Sequence, residues 1–186
     1  MSSTNRGGQR HADDWYATPA WCTQAILPHL RLRDVVLDPF CGDGAILREI
    51  VGPPDSSKFY DVRGFELDSG RADDAMNYGN VVCRDAFSLD PWRVKGQTVL
   101  TNPPFSLAME SVMRALDEVG PDGETAFLLR LAFLASAKRA DFHRSRPSDI
   151  YVMSRRPSFT SDGRSDSADY AWFVWGPGRG GKWQVL

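Results

Sequence analysis

Residues 35–50 leave this chain few folds to choose from. Val35-Val36-Leu37 is a short apolar run suited to a buried strand, and it passes straight into Asp38-Pro39-Phe40-Cys41-Gly42-Asp43-Gly44, after which Ala45-Ile46-Leu47-Arg48-Glu49-Ile50 reads as a helix. Glycines at 42 and 44 permit a tight turn and let a ligand approach the backbone, where the first turn of the helix offers free N–H groups. A strand, a glycine turn and a helix in that order belong to an α/β sheet with parallel strands. A dinucleotide-binding fingerprint would carry a third glycine near Leu47 and no acids in the turn. Asp38 and Asp43 flank this turn instead, which disfavours a pyrophosphate and suits a ligand with a positive end.

Three further strand ends carry chemistry. Glu66 follows Gly44 by twenty-two residues and closes the run Phe59-Tyr60-Asp61-Val62-Arg63-Gly64-Phe65; an acid there is where a doubly wound sheet grips a ribose diol. Val81 to Phe87 predicts a third strand ending in Asp85, suited to accept a hydrogen bond from an adenine amine. Gln97-Thr98-Val99-Leu100-Thr101 predicts a buried strand that runs into Asn102-Pro103-Pro104-Phe105. Successive prolines stop the ladder and stiffen the turn. They leave one side-chain amide, one proline carbonyl and one aromatic ring projecting into a crevice. An amide oxygen and a carbonyl can together accept both hydrogens of an exocyclic amine, while the ring stacks on its heterocycle. Four residues alone would also suit a plain loop with a core Phe; four such features in order, each at a strand end, argue against it.

The rest of the chain keeps the alternation. Ser106 is placed to cap a helix whose apolar stripe is Leu107, Val112, Leu116 and Val119, ended by Gly120-Pro121-Asp122-Gly123. A fifth strand is expected over Thr125–Leu129, a helix over Ala135–Arg144, and a closing pair of strands over Ile150–Met153 and Tyr170–Trp175. This predicts one domain over residues 1–186, with a doubly wound, mostly parallel seven-stranded sheet and an antiparallel closing strand. Trp172, Phe173 and Trp175 are expected in the core. Residues 1–12 and the Gly176–Gly181 run read as flexible, and Ser161–Asp169 as an exposed loop or an element that orders on substrate.

With these motifs in place, the chain resembles the class I S-adenosylmethionine-dependent methyltransferases, and among them the DNA N6-adenine enzymes. The likeness spans roughly residues 15–175. Tyr16-Ala17-Thr18-Pro19-Ala20-Trp21 is similar to the leading motif that packs over the methionine end of the cofactor. The motif order matches the gamma arrangement, and the small size looks like phage or prophage members. The resemblance implies that Asp38, Cys41, Gly42 and Gly44 hold the methionine part of S-adenosyl-L-methionine, with Tyr16, Thr18 and Pro19 covering it. Glu66 and Leu67 would hold the ribose, Asp85 and Ala86 the adenine. Asn102, Pro103, Pro104 and Phe105 would form the catalytic loop, with Asn102 also touching the cofactor. No separate target-recognition domain is expected. Trp15, Tyr16 and Trp21 either cover the cofactor or pin the amino-terminal helix.

Charge is divided unevenly. Residues 1–129 carry 12 Lys and Arg against 19 Asp and Glu, and residues 130–186 carry 10 against 5, within a net charge of −2 over 186 residues. A basic final third beside an acidic cofactor half suits phosphates approaching one edge. Arg144, Arg146, Arg155, Arg156 and Arg164 supply it, Arg being the residue that contacts phosphate bidentately. Around Lys138 and Arg139 a solvated helix face is an equal reading. Phe159 leaves a strand end beside this cluster, where it could hold a flipped base against Phe105. Substrate contacts are thus expected at Phe105, Phe159, Arg155 and Arg156.

Cys22, Cys41 and Cys83 are an odd set without CxxC spacing, so neither a disulfide scaffold nor a metal site is implied, and all three are expected buried. No apolar stretch reaches membrane-spanning length and the polar start is no signal peptide, which implies a cytoplasmic protein of a bacterial or phage-infected cell. The expected partner is nucleic acid, DNA first, with a homodimer or a specificity partner left open. RNA adenine or guanine methylation stays open as well, as do N4-cytosine methylation, glutamine methylation of release factors and a non-catalytic nucleic-acid-binding subunit.

Overall fold

The computed structural model describes residues 16–52, 59–88, 90–159 and 166–186. Expectations for residues 1–12, Trp15, residues 161–165 and Arg164 lie outside them. Among the described residues, eight strands form one sheet: β1 (Val35–Asp38), β2 (Asp61–Glu66), β3 (Asn80–Cys83), β4 (Thr98–Thr101), β5 (Glu124–Arg130), β6 (Asp149–Val152), β7 (Tyr170–Trp175) and β8 (Trp183–Val185). Their order is β3-β2-β1-β4-β5-β7-β6-β8. β7 is antiparallel to both its neighbours, β5 and β6, while the remaining pairs are parallel. The doubly wound architecture is as expected, with one strand added to the anticipated seven. β8 escapes a pattern search because its three residues are all exposed and follow a glycine-rich run. Pairing with β6 makes it a strand, through Ile150 N–H to the Lys182 carbonyl (2.8 Å) and Leu186 N–H to the Val152 carbonyl (2.8 Å).

Five α-helices among the described residues flank the sheet: α1 (Ala20–Ile26), α2 (Ala45–Val51), α3 (Ser69–Ala75), α4 (Ala108–Val119) and α5 (Ala137–Ser145). Successive residues of a strand point to opposite faces, and β5 sorts its side chains accordingly. Ala126 and Leu128 join one core with Cys22, Ile26, Ile46, Leu47 and Ala72, beneath α1, α2 and α3. Phe127 and Leu129 join the other with Val112, Ala115 and Val119 of α4. Trp172, Phe173 and Trp175 are buried as expected. Their indoles keep a polar partner, as buried Trp requires: Trp172 Nε1 donates to the Cys22 carbonyl (3.0 Å) and Trp175 Nε1 to that of Arg146 (2.9 Å).

Three local boundaries and one burial depart from expectation. Ser106 does not cap α4; the prolines deliver the chain into a 3-10 turn over Phe105–Leu107, and Leu107 becomes the N-cap with no side-chain bond. Gly120 does end α4, at φ 65°. α5 starts later than Ala135 because Leu131–Leu134 forms a 3-10 turn and Ser136 caps the helix, accepting from Lys138 N–H. β3 stops at Cys83, so Asp85 stands two residues beyond the strand. Cys83 is exposed rather than buried, since β3 is the sheet's edge and shows only Val81 to the core. Cys22 and Cys41 are buried; burial pushes the Cys22 thiol up to about 12 and the Cys41 thiol upward too, so both serve as small apolar side chains.

The strand order reverses between β1 and β4, and in such sheets ligands bind in the crevice beyond the carboxyl ends at that point. Asp38 ends β1 and Asn102 follows β4.

Candidate active site

A cleft of about 350 Å³ opens at this switch point. Its walls come from the turn after β1 (Pro39, Phe40), the end of β2 (Phe65, Glu66, Leu67), the stretch after β3 (Arg84 to Phe87) and the loop after β4 (Asn102 to Leu107). Tyr16 and Arg71 complete it. A small polar cavity adjoins it, lined by Thr18, Asp38, Cys41, Asp43 and Asn102 among others. Glu66, Leu67, Asp85, Ala86, Asn102, Pro103, Pro104, Phe105 and Tyr16 are thus brought together in one place, with Thr18, Asp38 and Cys41 beside them. Pro19, Gly42 and Gly44 shape the site without lining either cavity. Pro19 starts α1. Gly42 and Gly44 take φ 55° and 84°, the left-handed values that glycine accepts without strain.

Asn102 is held by its nitrogen. Nδ2 donates to Thr18 Oγ1 at 3.1 Å and, more weakly, to the Tyr16 carbonyl at 3.5 Å. Oδ1 is buried and accepts nothing. A buried acceptor left in that state costs about 1–3 kcal/mol until a donor reaches it.

Asp38 is 1% exposed and its Oδ1 accepts from Thr101 Oγ1 (2.6 Å) and Phe40 N–H (3.1 Å). Burial pushes its carboxyl up to about 7; the two hydrogen bonds work against the rise and the Glu66 charge adds to it.

Glu66 is more engaged than a free ribose acceptor would be. Oε1 takes Asp68 N–H (2.8 Å), Arg71 Nη2 (2.8 Å) and Arg71 Nε (3.1 Å), while Oε2 takes Gly42 N–H (3.0 Å). The carboxylate therefore ties the glycine turn to α3 and keeps acceptor capacity chiefly on Oε2. Asp85 is exposed at the other end of the cleft, its Oδ1 bonded to Phe87 N–H at 2.8 Å.

Aromatic rings gather beside the loop. Tyr16 lies nearly parallel to Phe105, centroids 6.1 Å apart and planes 20° off. Phe159 does reach Phe105, at 6.3 Å, but edge-on at 67°, so the two form no parallel slot in this state. Tyr170 touches both rings, at 5.6 and 5.0 Å. Arg155 stacks on Trp21 with Cζ 4.2 Å from the ring centroid, and Arg156 pairs with Asp169 at 2.8 Å; neither lines the cleft. Arg144 and Arg146 are paired with Asp141 and Asp117, on the side of α5 and α4. Among the described residues, no group of three or more His, Cys, Asp and Glu side chains could hold a metal ion, and no helix is long and apolar enough to cross a membrane.

Sequence reasoning missed Arg71, Arg130 and Tyr170. Arg130 carries a signal, being a charged residue that ends an apolar strand just as Asp38 and Glu66 do. Arg71 carries none, because its reach back to Glu66 depends on how α3 packs.

No protein-family model matches the sequence, and no curated protein does. Solved structures do. The methyltransferase subunit of a type I restriction-modification system from Streptococcus thermophilus superimposes with a TM-score of 0.66 at 14% identity, over 88% of this chain and 45% of that one. The 23S rRNA methyltransferase ErmE gives 0.64 at 15%, over 92% and 72%. An RNA methyltransferase from Salinibacter ruber in complex with S-adenosyl-L-homocysteine gives 0.53 at 14%, over 85% and 91%. The chain spans less than half the length of the Streptococcus subunit. Identities this low speak to architecture, and the architecture is consistent across all three: this chain has the Rossmann-like α/β fold of the methyltransferases.

Proposed function

We propose that the chain transfers a methyl group from S-adenosyl-L-methionine to an exocyclic base amine in nucleic acid, with N6 of adenine in DNA as the first reading. The observation that carries it is Asn102: a buried amide oxygen without a donor, at the end of β4, in an amide fixed from its other side by Thr18. An amine hydrogen is the donor this oxygen lacks.

The residues present fit an adenosyl amino acid. Asp38 and the small cavity around it suit an ammonium, Oε2 of Glu66 a ribose hydroxyl, and Asp85 an adenine amine, while Phe40, Leu67 and Phe87 provide apolar cover. Tyr16, Thr18, Cys41, Gly42, Gly44 and Ala86 form the backbone turns and walls around these groups, with Pro19 setting the entry to α1. When bound, the cofactor supplies an electrophilic methyl on a sulfonium.

The protein's part is orientation and electrostatics. An adenine amine is a poor nucleophile because its lone pair is delocalised into the ring. Hydrogen bonds from its two protons to Asn102 Oδ1 and the Pro103 carbonyl localise that pair along one direction. Pro103 and Pro104 keep these acceptors rigid, and Phe105 stacks on the base once it has left its own stack. Phe159 closes on the base from the side after turning from its edge-on position, and Arg155 and Arg156 meet the backbone phosphates. No residue is required as a general base in this scheme, because the methylated amine carries a positive charge and releases its extra proton to water. RNA is the second reading, favoured by the rRNA methyltransferase among the structural neighbours.

Methyl transfer from labelled S-adenosyl-L-methionine to unmethylated DNA and to RNA, with nucleosides separated afterwards, tests this. Label in N6-methyldeoxyadenosine is the expected result, and label in RNA alone moves the reading to RNA. Asn102→Ala should abolish transfer and leave cofactor binding measurable; retained turnover in that variant would remove Asn102 from the mechanism.

A further inference from the structure

Arg130 ends β5, the strand beside the one that delivers Asn102, and its Cζ lies 4.4 Å from the centroid of Phe105. Its Nε donates to Tyr170 Oη at 3.2 Å, Tyr170 Oη donates to Asp166 Oδ2 at 2.5 Å, and Arg130 Nη2 reaches the same Oδ2 at 3.4 Å. The guanidinium side chain is nonetheless 44% exposed. Close by, Arg156 donates from Nε to Asp169 Oδ1 at 2.8 Å. Asp166 and Asp169 belong to one short stretch, fastened to the body by Asp166 N–H to the Pro157 carbonyl (3.0 Å) and Leu131 N–H to the Asp169 carbonyl (2.7 Å). Arg130, on the face of Phe105, and Arg156 are therefore held by two carboxylates of the same segment.

A guanidinium fork accepts a carboxylate or a phosphate with the same geometry. Exposed Arg–Asp pairs contribute little to stability, so the pairing itself does not explain why a charged side chain is placed on the face of Phe105. We infer that Arg130 is a phosphate contact for the strand carrying the target base, and that the Asp166 carboxylate occupies the phosphate's place until that strand binds. The exchange breaks one charge-assisted contact and makes another, and it couples occupancy of the phosphate site to the ring on which the base stacks. Tyr170 keeps Arg130 over Phe105 in both states. The inference rests on the nucleic-acid reading given above.

Fluorescence anisotropy of labelled single-stranded and duplex DNA, with S-adenosyl-L-homocysteine present, tests it across about 50 to 200 mM salt. Arg130→Gln should lower the slope of log affinity against log salt by about 0.9 for duplex and about 0.7 for single strand, the signature of one lost phosphate contact. Arg130→Lys should keep the slope. Asp166→Asn, which leaves Arg130 in place and removes its internal competitor, should tighten binding several-fold at low salt. An unchanged slope in Arg130→Gln, with the DNA still bound by both proteins, overturns the role of Arg130 and leaves the nucleic-acid reading standing. Failure of the unmodified protein to bind either DNA or an RNA strand of the same length overturns both.

Discussion

Thr18 Oγ1 accepts from Asn102 Nδ2 at 3.1 Å, and together with the weaker contact to the Tyr16 carbonyl at 3.5 Å this bond decides which end of the amide is left for a ligand. Thr18 is 5% exposed and sits just before α1, whereas Asn102 follows β4, so the contact joins two distant parts of the chain. Thr18→Val keeps the shape and removes the acceptor. The amide then loses the shorter of the two bonds that fix its orientation, worth about 1 kcal/mol net. On the proposed mechanism kcat should fall about fivefold, since 1.36 kcal/mol in the barrier is about tenfold, with a smaller change in KM. A fall confined to KM would mean that Thr18 serves cofactor binding and not the orientation of Asn102.

Gly44 holds the turn between β1 and α2 at φ 84°, and there is no room beside it. A Cβ there would stand 2.8 Å from Tyr78 Cδ2 and 3.0 Å from Ala75 Cα of α3. Gly44→Ala combines left-handed strain with overpacking, and should cost about 3 kcal/mol in urea unfolding with an unchanged m-value. A loss below about 0.5 kcal/mol, the range of ordinary surface substitutions, would show that α3 yields easily and that the turn tolerates a side chain.

The chemistry at the strand ends was legible in the sequence because each part of it is local. Asp38, Glu66 and Asn102 each close an apolar run, and a parallel sheet puts those ends on one side whatever the details of packing. Asp85 was legible in place but not in setting, since β3 gives out two residues earlier at the sheet edge. What stayed hidden depends on contacts far apart in sequence. Arg71 grips Glu66 only because α3 folds back on β2, and Phe105 meets Phe159 in a ring cluster that Tyr16 and Tyr170 also join. Arg179 is the sharpest case. Its glycine-rich surroundings suggest a loose tail, yet its side chain is 7% exposed and donates to Glu124 Oε2 (2.7 Å), Tyr151 Oη (2.9 Å) and the His29 carbonyl (2.7 Å).

That arginine sits at the amino ends of β5 and β6, opposite the cleft, between two carboxylates that are 2% and 3% exposed on Glu124 and Asp149. Burial pushes the Asp149 carboxyl up, but hydrogen bonds from Gly180 N–H, Lys182 N–H and Arg179 outweigh it and the net shift is downward. Arg179→Met leaves both acids without their cation and should cost about 3–5 kcal/mol, read by urea unfolding. A depressed carboxyl contributes stability above its unfolded value near 3.8 that is lost as pH falls through the lower folded value. Part of the difference between wild type and Asp149→Asn should therefore disappear on acidification below pH 4. A pH-independent difference would assign the effect of Asp149 to packing alone.

Asp38 titrates in the opposite sense. Its carboxyl is raised from 3.8 to about 7, so the folded protein favours the protonated acid. The stability this contributes is complete below pH 3.8 and is lost as pH rises to about 7. A shift of that size amounts to about 4 kcal/mol at 1.36 kcal/mol per unit. Asn at this position mimics the neutral acid and can still accept from Thr101 and Phe40. Asp38→Asn should therefore match the wild type near pH 4 and exceed it by about 4 kcal/mol near pH 8, in urea unfolding without ligand. Glu66, Asp43, Cys41 and Tyr16 are the other titratable groups acting around Asp38 or lining its cavity, and none supplies a positive charge. The ammonium of an S-adenosyl amino acid would supply it. On the proposed reading, S-adenosyl-L-homocysteine should stabilise the wild type more than Asp38→Asn at pH 8, and the gap should close as pH falls toward 5. Equal stabilisation of the two proteins at pH 8 would take Asp38 out of the ammonium's surroundings, and a flat stability difference from pH 4 to 8 would mean that the carboxyl is ionised throughout.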